Sequence, residues 1–137
     1  MELLIRTIVE VAGFPESHVN EVIDKVIENI NNEENIKVIA ITKNDAKKLN
    51  EMFAGFLEIE LEFNDLLALN HFCFDYLPSS VEILNKETLE VSRETLSLIL
   101  NDMLTNMHKY QMNLSNLNFE NEVLRQRLTK TNEKSTS

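Results

Sequence analysis

Apolar positions recur along this chain with two different periods, and the switches between them predict its elements. In residues 3 to 12, LLIRTIVEVA, the residues Ile5, Thr7, Val9 and Val11 share one side and Arg6, Ile8 and Glu10 the other. That alternation is the signature of a strand. Gly13, Phe14 and Pro15 then punctuate the chain. Val19, Val22, Ile23, Val26, Ile27 and Ile30 follow at i, i+3, i+4, i+7, i+8 and i+11, the stripe of an amphipathic helix. Pro15 suits its first turn, where a missing N–H costs nothing. The β-branched residues lower its intrinsic propensity, so packing on a sheet must hold it. The polar run Asn31 to Asn35 ends it.

IKVIAIT, residues 36 to 42, predicts a second strand, and the polar KNDAKKLNEM after it a loop or a turn of helix. FLEIELEF, residues 56 to 63, alternates strictly, with Leu57, Ile59, Leu61 and Phe63 facing one way and Glu58, Glu60 and Glu62 the other. Asn64 or Asp65 can cap a helix beginning at Leu66. LLALNHFCFDYL is apolar nearly all round, so that helix is expected to be largely buried. Pro78 stops it, and SSVEIL, residues 79 to 84, predicts a short last strand. The order predicts an α+β body over residues 1–90, a ferredoxin-like βαββαβ sandwich with two helices on one face of four antiparallel strands.

After a polar link, Ser92 can cap a helix that meets no Gly or Pro through about residue 131. At 1.5 Å per residue it would reach on the order of 57 Å, too long for a small body to cover. Leu100, Met107, Leu114, Asn121 and Leu128 fall at heptad position a, and Leu96, Met103, Tyr110, Leu117 and Leu124 at d. Such a seam faces a partner helix when the two supercoil left-handedly. A single Asn at position a weakens the seam but selects a parallel pair in which two amides meet. Glu120 at g and Arg125 at e add a cross-chain ion pair of the right sign. Leu98, Ile99 and Leu104 widen the apolar face over residues 96 to 104, which predicts that the start of the 92–131 helix packs on the body. Met112, Phe119 and Val123 lie off the seam and leave room for a further helix or a different protein. Residues 132–137 show no apolar periodicity and are expected to be a disordered tail.

Composition narrows the function classes. Over 137 residues, 23 acidic against 13 basic side chains give a net charge of −10, which disfavours nucleic acid and anionic membrane surfaces. No apolar run approaches the roughly 20 residues of a membrane span, and MELLIRTIVE does not look like a secretory signal. One cysteine fits a reducing cytoplasm. His71, Cys73 and Asp75 in HFCFD suggest metal ligands, but helical neighbours at i and i+2 point about 200° apart. Cys73 is better read as a small core hydrophobe, and His18 and His108 as surface residues. The glutamate row sits roughly 7 Å apart along its strand with no His or metal motif beside it, which makes a solvated sheet face. No Walker loop, nucleophile elbow, HExxH or CxxC occurs, so neither catalytic residues nor a cofactor are expected.

GFPESHVNEVIDKVIE, FLEIELEFNDLLALNHFCFDYLPSSVEIL and the heptad helix together resemble a group of small uncharacterised archaeal proteins with a compact α/β body and a C-terminal coiled-coil helix. That resemblance implies an architecture and no activity. The body is also similar to ACT-like regulatory domains, which implies an alternative ligand site at the turn of Gly13 and Phe14. The expected function is a non-enzymatic cytoplasmic assembly module presenting an acidic surface to a protein partner. Its helix would make a homo-oligomer, a parallel dimer foremost, or meet a partner's coiled-coil helix through Met107, Tyr110, Leu114, Leu117, Asn121, Leu124 and Leu128. The alternative is an ACT-like sensor of small ligands.

Overall fold

The period-two segments pair edge to edge in one antiparallel sheet. The computed structural model of the chain describes residues 2–136 and contains β1 (Leu3–Gly13), α1 (Glu16–Asn31), β2 (Ile36–Leu49), β3 (Met52–Phe63), α2 (Leu66–Tyr76), β4 (Ser80–Ile83) and α3 (Arg93–Thr136). Strands run in the order β2-β3-β1-β4. Met1–Glu90 and Val91–Ser137 form separate units. The coarse expectation, an α+β chain with four antiparallel strands and a long C-terminal helix, describes what forms.

In the body, β1 is central. It pairs with β3 along its whole length, from Leu3 opposite Phe63 to Gly13 opposite Phe53, and with β4 from Ile5 opposite Ile83 to Ile8 opposite Ser80. The alternation puts Leu3, Ile5, Thr7 and Val9 on the buried face, against Leu57, Ile59, Leu61 and Phe63. Val19, Ile23 and Ile30 of α1 close that core, so the stripe read from the sequence is the packed face. Thr7 is the buried polar residue within it, and its Oγ1 donates to the carbonyl of Ser80 at 2.8 Å. A buried hydroxyl without such a partner would be costly.

Three elements differ from the sequence reading, each for a physical reason. The polar stretch Lys43 to Met52 is the longest extension: β2 runs to Leu49 and β3 begins at Met52. Irregularities between Val38 and Ala40 and between Asn44 and Lys47 break the alternation that would have marked the strand. Its hairpin turns at Asn50, at φ 56, in a left-handed conformation that Asn tolerates. The helix α2 is less covered than its composition predicts. Leu69 and Phe72 are buried, and Leu66, Ala68, Cys73 and Tyr76 only pack partly against the core. The last strand is four residues long, with every residue exposed.

The caps follow the sequence. Asp65 accepts from the amide of Ala68 at 2.8 Å, and Ser92 Oγ from the amide of Thr95 at 3.1 Å. Leu77 closes α2 at φ 46, with its amide on the Cys73 carbonyl, just before Pro78. Pro15 is the N-cap of α1 rather than a residue of its first turn. At the far end α3 continues past residue 131 to Thr136, through most of the stretch expected to be disordered; Ser137 lies outside the described residues.

Candidate functional site

α3 is one uninterrupted helix of 44 residues, about 66 Å at the usual rise. The residues of its heptad seam are exposed. Met107, Tyr110, Leu114, Leu117, Leu124 and Leu128 are between 41 and 65% exposed, and Asn121 is exposed in line with them. The seven positions share one face because a 4-3 spacing returns to the same side of a helix every two turns. Asn121 makes no side-chain hydrogen bond within the chain, and neither Glu120 nor Arg125 has an ion-pair partner there, among the described residues. The off-seam residues Met112 and Phe119 are exposed on another side, while Val123 is half-buried. Contiguous exposed apolar surface along a helix is, in general, the kind of surface that protein interactions use.

On the open face of the sheet the three glutamates are not alone. Arg6, directly opposite both Glu60 and Glu82 on the neighbouring strands, reaches Glu60 at 3.1 Å, Glu82 at 3.5 Å and Glu58 at 3.7 Å. Hydrogen bonding to Glu60, with the charges of Glu60, Glu82 and Glu58, raises the guanidinium's already high pKa against a smaller desolvation effect. Reading β3 in isolation missed this cation; the signal was Arg6 on the outward side of the first strand. Lys43 similarly bridges Asp24 of α1 at 2.8 Å and Asp45 at 3.5 Å. On the open face Glu58, Glu60 and Glu82 thus share one guanidinium, that of Arg6.

Glu2, Glu34 and Glu62 gather at the sheet end where α1 gives way to β2. Glu62 hydrogen-bonds the carboxyl of Glu2, which holds its pKa above the usual range, with desolvation adding and Lys37 opposing. Nearby, a hollow of about 430 Å³ is lined by Glu33, Asp65, His71, Phe72, Asp75 and Tyr76, among others. Tyr76 stacks on Phe72 at 4.8 Å and donates to Glu33 at 2.9 Å. Desolvation and that carboxylate push its phenol up to about 12.

HFCFD does not converge. Among the described residues no group of three or more His, Cys, Asp or Glu side chains is placed to hold a metal ion. Burial raises the Cys73 thiol, the reverse of what an activated thiolate needs. The Gly13 turn is equally plain: an added Cβ would sit 3.7 Å from Val19 Cγ2, and the residue has no positive φ. Phe14 is 70% exposed, with its ring 6.2 Å from that of Phe53. No described helix is long and apolar enough to cross a membrane.

A search among curated proteins finds no match. The model of the MJ0538 family, a family named after an uncharacterised archaeal protein, matches residues 4–131. The chain belongs to that family.

Proposed function

We propose that this MJ0538-family chain is a non-enzymatic, cytoplasmic assembly module. It self-associates through α3 and presents the acidic surface of its body, a variant of the ferredoxin-like sandwich, to a protein partner. The observation that carries the reading is the seam from Met107 to Leu128, apolar at six of seven positions and exposed throughout. In water, burying such a line against a partner helix is the favourable outcome. The sheet edges offer poorer routes. Along β2, two irregularities and the lysines at 37, 43, 47 and 48 obstruct another strand. At the other edge β4 has only four residues to pair.

Two glutamates in the seam, Leu117→Glu with Leu124→Glu, should abolish association because like charges would be buried against each other. Thermal melts followed by circular dichroism at several concentrations test this. The parent's helical transition should shift upward with concentration, and the variant's should not. A parent melt independent of concentration would sink the reading.

A second reading, the ACT-like sensor, has one observation in its favour. Next to the Gly13 turn, a hollow of about 420 Å³ is lined by Ala12, Ala54 and the β2–β3 turn from Leu49 to Met52. A reproducible rise in melting temperature with an amino acid or nucleotide, lost on narrowing the hollow by Ala54→Phe, would favour it.

A further inference from the structure

We infer that the partner of α3 is a second copy of this chain, aligned parallel and in register as a two-stranded coil whose alignment is set by amides. This rests on the self-association proposed above and specifies its geometry. In a parallel pair, position g of one helix lies beside position e of the next heptad in its mate. Over residues 106 to 125 those pairs are Asn106 with Gln111, Asn113 with Asn118 and Glu120 with Arg125, and beyond them Arg127 faces Asn132. Two of the three are amide with amide. A foreign helix with charged flanks would find no counter-charge at Asn106, Gln111, Asn113 or Asn118, whereas a second copy matches amide to amide. The one charged pair is complementary, and two-fold symmetry forms it twice.

The seam selects the same mate. In register, each layer meets itself: leucine opposite leucine at 114, 117, 124 and 128, and Asn121 opposite Asn121. Sliding by one heptad sets the Asn121 amide against Leu114 or Leu128, buried with no partner. Among the described residues that side chain has no hydrogen bond to give up. Glu120 and Arg125 likewise have no ion pair among the described residues. Asn121, Glu120 and Arg125 are therefore available to the pairing, whereas Asn106 donates from Nδ2 to the Asp102 carbonyl at 2.9 Å.

The test uses full-length protein carrying Cys73→Ala, so that any disulfide comes from an introduced thiol. Sedimentation of this parent comes first: a monomer overturns the proposed self-association itself, and a trimer overturns the two-stranded coil alone. Leu117→Cys and Leu124→Cys are then oxidised separately with glutathione. A parallel in-register pair brings each thiol to its own copy, so both variants should run largely as cross-linked dimers. An antiparallel pair can centre on only one of two positions a heptad apart. Cross-linking at one position, or at neither, in a protein that sediments as a dimer overturns the alignment. Asn121→Leu supplies a second readout: about tenfold tighter association, with a single dimer mass giving way to mixed species. Unchanged affinity and mass would remove Asn121 from the seam.

Discussion

Phe63→Ala should destabilise the body by about 3–5 kcal/mol. The ring is fully buried at the end of β3, opposite both Leu3 and Ile36, and meets Phe72 edge-on with centroids 5.5 Å apart. It is the side chain through which α2 gains an aromatic contact with the sheet. Truncation leaves a cavity among β-strand backbones that cannot collapse, and it also forfeits the ring-on-ring contact. Small domains hold roughly 5–15 kcal/mol in all, so a large share would go. In urea, the midpoint should fall with little change in slope. A loss below about 1 kcal/mol would show that α2 does not depend on this ring.

Gly55→Ala should cost about 2 kcal/mol despite adding one methyl group. A Cβ there would lie 2.5 Å from Ile23 Cδ1, 3.0 Å from the Asn44 carbonyl oxygen and 3.1 Å from the Ala46 nitrogen. Ile23 is fully buried, so its Cδ1 must repack within the core, and the other two atoms belong to the irregular backbone of β2, which cannot give way as a side chain can. That backbone is pinned in turn, since the Ala46 amide donates to Asn20 Oδ1 on α1 at 3.2 Å. The glycine therefore lets α1 and the bulged strand approach together. Gly13→Ala is the control: with 3.7 Å to its nearest neighbour and no positive φ, it should be neutral or slightly stabilising. Chemical denaturation of the two variants side by side decides it, and equal stabilities would contradict the packing described.

Those two residues also mark how far the sequence could be read. Phe63 stood at the end of a strict alternation, and its burial followed from period alone. The α1 stripe, the Asp65 and Ser92 caps and the helix break before Pro78 were legible for the same reason: each is local. Gly55 was not, because its neighbours Ile23 and Asn44 come together only through tertiary packing. The β2–β3 extension was hidden by residues poor in strand propensity, held extended by pairing with a good strand rather than by their own preference. Arg6 escaped notice as the counter-ion of the glutamate row because the strand order that sets β1 between β3 and β4 is non-local. On the candidate site the balance reverses. Heptad positions, the Asn121 interruption and the Glu120 to Arg125 spacing are properties of one helix, so all were visible; what the structure adds is that the seam is uncovered.

In the proposed dimer the exposed seam is met by another copy. Sedimentation equilibrium of the full chain at tens of micromolar measures it most directly. The expected mass is near twice the 15.9 kDa of one chain, falling back toward it on dilution. A single species of 15.9 kDa across that range would contradict it.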